Sequence, residues 1–184
     1  MSHKPVFLTE VKTFVRAKHE SKVFEHHSGH VKPQIEHLQE VAVLVWVSGG
    51  CEIEIAAGWL HDTVEDTPVT LEEIAGLFGA EVAEIVHGLT DTKEMEELPL
   101  LARKRAQAHR VKAESPSVRR VKLCDQISNI KYIVTDPPAH WTHERNRDYC
   151  IGAKLIADEC RGISPLLDQL FADQYAKAKE IFGL

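Results

Sequence analysis

Apolar residues recur at helical spacing along almost the whole chain, and the pattern divides it into a series of amphipathic or wholly apolar helices. Over about residues 9–20, Val11, Phe14, Val15 and Lys18 share one side of a helix. The polar stretch Glu25-His26-His27-Ser28-Gly29-His30-Val31-Lys32-Pro33 breaks the period and reads as a solvated loop. An apolar run over residues 35–47 stops at Ser48-Gly49-Gly50, a strong helix terminator. Residues 52 to about 62 are so apolar that they predict a short buried helix. Thr70 and Glu73 have the spacing of a capping box, and Gly79 ends that helix after Phe78. Helices follow over residues 80 to about 89, from Leu98-Pro99 to about 114, and from a Ser117 cap to about Val134, where Asp136-Pro137-Pro138 breaks the chain. Two more, about 142–161 and 165–182, complete the series. There is no period-2 strand of any length, no internal repeat and no linker. The pattern predicts one all-α domain over residues 1–184, with about 8–10 helices.

Composition narrows the class. At 43% hydrophobic and 27% charged over 184 residues, the chain is an ordinary globular protein rather than a disordered or fibrous one. No apolar run reaches the length of a membrane span, and the first residues show neither the apolar core of a signal peptide nor a Gly at position 2. The expectation is a cytoplasmic protein with no membrane partner. Cys51, Cys124, Cys150 and Cys160 form no C-x-x-C pair and read as reduced thiols, mostly core fillers. A net charge of −6 argues against nucleic acid as a partner. The charge is polarised, however: residues 50–97 hold thirteen Asp/Glu against Lys93 alone, and residues 103–122 hold eight Lys/Arg against Glu114 alone. One pole suits a cation and the other an anion, although two solvated helix faces of opposite sign produce the same count.

Three places combine burial with titratable groups. His61-Asp62 closes the apolar helix of Ile53, Ile55, Ala56, Ala57, Trp59 and Leu60. Two buried polar groups side by side need compensation, which a divalent cation supplies to both, or a dipole-paired His in an acidic turn supplies locally. Asp125 lies between Val121 and Asn129 on a helix that is apolar on two sides, and it needs a metal, an Arg or a hydrogen-bond cage. His37 opens an apolar helix, where a lone His is either a ligand or a satisfied core residue. Two imidazoles and two carboxylates together suit an octahedral ion with open positions (Mn²⁺, Fe²⁺ or Mg²⁺) better than a structural zinc.

His37, then Trp59-Leu60-His61-Asp62-Thr63-Val64-Glu65-Asp66-Thr67, then Val121-Lys122-Leu123-Cys124-Asp125-Gln126-Ile127-Ser128-Asn129 resembles the H…HD…D signature of HD-domain metal phosphohydrolases. More narrowly, the chain is similar to the hydrolase domain of RelA/SpoT homologues and to the free-standing small alarmone hydrolases. Thr70-Leu71-Glu72-Glu73-Ile74, Phe78-Gly79 and Leu89-Thr90-Asp91 follow in that group's order, and the likeness runs over about residues 14–157. The resemblance implies a helical HD fold with one Mn²⁺ held by His37, His61, Asp62 and Asp125. It implies hydrolysis of the 3′-pyrophosphate of (p)ppGpp, with Glu65 and Asp66 orienting or deprotonating the attacking water. Lys18, Asn129, Lys131 and Tyr149 match substrate-contacting positions, and Lys122 and Lys131 would help to draw in a polyanion. Ala17 and Lys131 stand where the family has Arg, and the segment Val31–Leu38 lacks the family's Tyr and Pro. These departures keep (p)ppApp open as the substrate. A nucleotidase of ordinary nucleotides and a catalytically silent metal- or nucleotide-binding domain are the alternative functions, and His26, His27 and His30 are read as loop residues.

Overall fold

The computed structural model describes residues 8–184; residues 1–7, on which the reading of the N-terminus rests, lie outside the described residues. Among the described residues there are nine helices of eight residues or more and two of four. They are α1 (Leu8–His19), α2 (Gln34–Val47), α3 (Glu52–Leu60), α4 (Thr63–Asp66), α5 (Leu71–Phe78), α6 (Ala80–Leu89), α7 (Lys93–Glu96), α8 (Leu100–Lys112), α9 (Pro116–Thr135), α10 (His143–Cys160) and α11 (Pro165–Phe182). None is long and apolar enough to cross a membrane.

The longest, α9, is the centre. It packs against α2, α3, α6, α8, α10 and α11 and buries residues on every side, from Val118 and Val121 through Leu123, Cys124 and Ile127 to Ile130 and Ile133. A helix without a solvated face must sit inside, so the polar residues it carries, Asp125, Gln126 and Ser128, are delivered to the interior. Against it lie α2 and α3, which approach closely because α3 contributes Gly58: a Cβ there would stand 3.1 Å from the Cα of Ala42. That approach sets the start of α2, with His37, beside the end of α3, with His61. Burial holds the thiols of Cys150 and Cys160 up at about 12, in keeping with core-filling cysteines.

Three local details differ from the sequence expectations. The cap of α9 is Ser115, whose Oγ accepts from Val118 N at 3.3 Å with Pro116 in the first turn, not Ser117. Thr70 Oγ1 accepts from Glu73 N at 3.2 Å as the capping spacing requires, but the Glu73 carboxylate turns to Lys18 Nζ, 3.5 Å away. The apolar helix ends at Leu60 rather than continuing to Asp62, so His61 and Asp62 occupy a turn before α4 and are free to converge.

The fourth difference is larger. The His-rich loop is a short antiparallel hairpin, β1 (Val23–Glu25) with β2 (Val31–Pro33), in which Phe24 pairs with Lys32 and Gly29 takes φ +83° in the turn. Three-residue strands are too short to leave a readable alternation. Tertiary bonds secure the hairpin instead: Ala139 N donates to Glu25 O and His27 N to Pro137 O, both at 2.9 Å, and Ser28 N and Oγ donate to the Asp136 carboxylate.

Candidate metal centre and its cavity

Four side chains from three places in the sequence meet where α2, the α3–α4 turn and α9 converge. His37 Nε2 and His61 Nε2 are 3.2 Å apart. Asp62 Oδ1 lies 3.2 Å from His61 Nε2, and Asp62 Oδ2 lies 3.8 Å from His37 Nε2. Asp125 Oδ1 lies 3.4 Å from His37 Nε2 and 3.7 Å from His61 Nε2. Ligand atoms about 2.1 Å from an octahedral ion stand roughly 3 Å apart when adjacent, so the spacing matches a shared cation. His37, His61 and Asp62 each present a ligand atom within 4.8 Å of the others.

The donor set requires a positive charge. His61 Nδ1 donates to Gly58 O at 2.9 Å. His37 Nδ1 donates at 2.9 Å to Ser128 Oγ, whose own proton goes to Glu40 Oε2 at 3.0 Å. With each Nδ1 so engaged, both Nε2 atoms turn inward, toward each other and toward two carboxylates, and two neutral rings would bring acceptors together with no donor between them. Burial alone would lower the pKa of His61, yet the charges of Asp62 and Asp125 raise it to about 9. A divalent cation satisfies all four groups at once.

Asp125 is held by its own helix. Burial opposes its ionisation, but Lys122 and the two imidazoles keep its carboxyl well below the usual range. Asn129 Nδ2 donates to Oδ1 at 2.5 Å, Gln126 Nε2 donates to Oδ2 at 2.8 Å, and Lys122 Nζ stands 3.5 Å from Oδ2.

The centre opens into a cavity of about 510 Å³, a size that suits a nucleotide-like ligand. Its wall includes His37, Asp62, Asp125, Glu65, Asn129 and Tyr149. Glu65 keeps its side chain 24% exposed and accepts from Asp91 N at 2.6 Å, with Arg103 3.8 Å away. Desolvation raises its pKa against the pull of that N–H and of Lys122. Asp66 turns elsewhere, to Lys22 Nζ at 3.1 Å and to Gln34 Nε2, and ties α4 to the foot of the hairpin. Lys18 and Lys131 are not part of the wall: Lys18 is paired with Glu73, and Lys131 Nζ contacts Glu40 Oε1 at 2.5 Å.

The cations that do line the cavity are Lys32, Arg103, Lys104, Lys122 and Arg145. Of these, only Lys122 was singled out from the sequence. The basic stretch of α8 was visible there, but not which of its residues turn inward. The orienting pair Glu40 and Ser128 was also missed. Its signal was spacing: each stands three residues beyond a ligand, on the same helix face.

Lys104 is buried against Tyr149, its Nζ 4.0 Å from the ring centroid and 3.2 Å from Gln126 Oε1. Burial, then the neighbouring Lys122, lowers its pKa from 10.5 to about 7. Between those values the unfolded chain binds a proton that the folded protein lacks, so stability rises with pH across this window. Relative to Lys104→Met, the wild type is expected to gain stability between pH 7 and 9, by up to about 1.4 kcal/mol per pH unit. Denaturant titrations of both proteins across that range check this. A stability difference that stays flat with pH would show that Lys104 remains charged when folded.

A helical fold that brings His37, His61 and Asp62 to one cation-binding point, with Asp125 beside the two imidazoles and a cavity in front, defines a divalent-metal protein of the HD type. The HD domain family model matches residues 13–148, and the chain belongs to that family. It is 35% identical over 176 residues to guanosine-3′,5′-bis(diphosphate) 3′-pyrophosphohydrolase MESH1 of Danio rerio, spanning 92% of this chain and 95% of that one. The Homo sapiens MESH1 is 32% identical over 171 residues, spanning 92% and 93%. A solved structure described as a metazoan ortholog of SpoT that hydrolyzes ppGpp and plays a role in starvation responses superposes with a TM-score of 0.84. It is 26% identical and covers 96% of this chain and 98% of that one.

Proposed function

We propose that this chain is a Mn²⁺-dependent 3′-pyrophosphohydrolase of purine alarmones, converting ppGpp and water to GDP and pyrophosphate. The observation that carries the reading is the convergence of His37, His61, Asp62 and Asp125 at the end of a cavity walled by cations, in a chain with near full-length likeness to enzymes of that name. Those four residues would hold the ion, and a mixed imidazole–carboxylate set suits Mn²⁺. When bound, the ion acidifies water and withdraws charge from a phosphoryl oxygen.

The protein's own groups supply the rest. Glu65, on the wall and raised in pKa, takes the proton of the water that adds to the phosphorus of the 3′-pyrophosphate; the bond to the ribose 3′-oxygen breaks, and that oxygen takes up a proton to leave as the 3′-hydroxyl of GDP. Lys122 and Arg103 face the charge of the pyrophosphate, and Asn129 and Gln126 keep Asp125 in place. Tyr149 closes the wall beside Lys104. Lys18 and Lys131 lie outside the cavity wall, paired with Glu73 and Glu40, so substrate binding falls to the lining cations instead. The core cluster runs from Val11 to Phe182, which supports one folded unit, and the free buried cysteines favour a reducing, cytoplasmic setting.

The test is a substrate panel. With Mn²⁺, the purified protein should release pyrophosphate from ppGpp, and from ppApp within about tenfold, a difference of only about 1.4 kcal/mol. It should leave ATP, GTP and AMP intact, and Mn²⁺ should support turnover better than Zn²⁺. Orthophosphate from AMP with no pyrophosphate from either alarmone would instead identify a nucleotidase.

A further inference from the structure

The two imidazoles of the centre are oriented by different kinds of partner. His61 Nδ1 donates to Gly58 O, a backbone carbonyl that can only accept, so its Nε2 is kept for the centre by a fixed contact. His37 Nδ1 meets a hydroxyl instead, Ser128 Oγ at 2.9 Å. A hydroxyl both donates and accepts, so by itself it leaves open which ring nitrogen of His37 carries the proton. The choice is settled one step further out.

Ser128 is fully buried on α9, and its Oγ donates at 3.0 Å to Oε2 of Glu40, which stands on α2 three residues beyond His37. Lys131 and Tyr132, three and four residues beyond Ser128, share its helix face and reach the same carboxylate. Tyr132 OH donates to Oε2 and Lys131 Nζ to Oε1, both at 2.5 Å. Glu40 therefore receives three donors, and an ionised carboxylate has no proton to return. The one proton of Ser128 is used on Glu40, so its oxygen accepts from His37 Nδ1. In the neutral ring Nε2 is then bare, and it faces His61 and Asp125. Glu40, Ser128 and Lys131 lie outside the cavity wall, so the network acts through His37 and not on a molecule in the cavity.

We propose that Glu40 is a positioning residue for the metal. Held by Lys131 and Tyr132, its carboxylate sets the direction of the His37–Ser128–Glu40 chain and so keeps His37 in the tautomer that binds a cation. Lys131 is then part of the support of the centre, in place of the substrate contact that the resemblance implies. This rests on the reading of His37 as a metal ligand.

Glu40→Gln keeps the shape of the side chain and reverses the chain of bonds. The amide has one acceptor oxygen, and Lys131, which can only donate, takes it at the Oε1 position. The NH2 group then faces Ser128, whose hydroxyl accepts from it and donates to His37 Nδ1. The ring proton moves to Nε2, the nitrogen turned toward the cation.

The test measures Mn²⁺ binding by calorimetry, with circular dichroism and thermal denaturation as the check on folding. Glu40→Gln should bind Mn²⁺ about 10–100-fold more weakly than wild type. Lys131→Met leaves the carboxylate able only to accept, and alone it should cost less than about tenfold, the lower end of that span. Combined with Glu40→Gln it frees the amide to turn its oxygen to Ser128, so the double variant should bind more tightly than Glu40→Gln does. Nitrogen shifts of the metal-free proteins should place the His37 proton on Nδ1 in wild type and on Nε2 in Glu40→Gln. A purely structural role for Glu40 would lower the melting temperature without moving that proton. If Glu40→Gln does not fold, Ser128→Ala removes the same link and should weaken Mn²⁺ to a like extent. The inference is overturned if either variant folds and keeps wild-type affinity, if His37 Nδ1 keeps its proton in Glu40→Gln, or if adding Lys131→Met brings no recovery. A wild type that binds no Mn²⁺ refutes the metal reading instead, and the nitrogen shifts still decide the direction of the chain.

Discussion

His61→Ala should yield a folded protein that retains no metal and releases pyrophosphate from ppGpp at no more than about a thousandth of the wild-type rate. Changing a group that merely orients a ligand costs ~10–100-fold, and His61 presents Nε2 to the shared point itself, 3.2 Å from both His37 Nε2 and Asp62 Oδ1. The fold should survive, because the imidazole's other tie is a single bond to Gly58 O within its own helix end. Asp125→Asn is the companion variant. It keeps the shape of the side chain on α9 but removes the charge that Lys122 and the imidazoles surround. Elemental analysis, circular dichroism and turnover after chelation measure the three quantities. Full activity in a protein shown to be free of metal would refute the central claim.

Glu65→Gln should lower kcat by ~10²–10⁴-fold, the span of general acid–base catalysis, with metal content unchanged. The amide oxygen can still accept from Asp91 N, so the wall keeps its form while the proton acceptor is gone. Asp66→Asn is the informative contrast. Its carboxylate pairs with Lys22 and Gln34 rather than facing the cavity, so its loss should loosen the α4–hairpin junction and change kcat by less than about tenfold. If Asp66→Asn proves as inactive as Glu65→Gln, both carboxylates act on the water, as the family resemblance implies.

Much of the fold was legible because its signals are local. Helical periodicity, Thr and Ser caps, and Gly or Pro breaks act within a few residues, and they placed the nine longer helices with small errors at their ends. The residues of the candidate metal centre were legible for a related reason. His61 and Asp62 at the end of an apolar helix, and Asp125 amid apolar residues, are polar groups that burial obliges to find a partner. The hairpin was not legible, because its two strands are too short for a pattern and are held by residues 136–139, more than a hundred positions away.

The sequence by itself therefore determined the helices, the buried centre and the set of residues able to hold a cation. Only the tertiary structure decided which charged groups line the cavity and which opposite charges they meet. Lys131 and Glu40 are 91 residues apart, and Lys18 and Glu73 meet across two helices. Such pairs engage candidates that the family resemblance implied, while Lys32, Arg103, Lys104 and Arg145 line the cavity. Burial is written into neighbouring residues through periodicity. Charge pairing is settled between residues far apart in the chain, by whichever opposite charge the packing of the helices brings within reach.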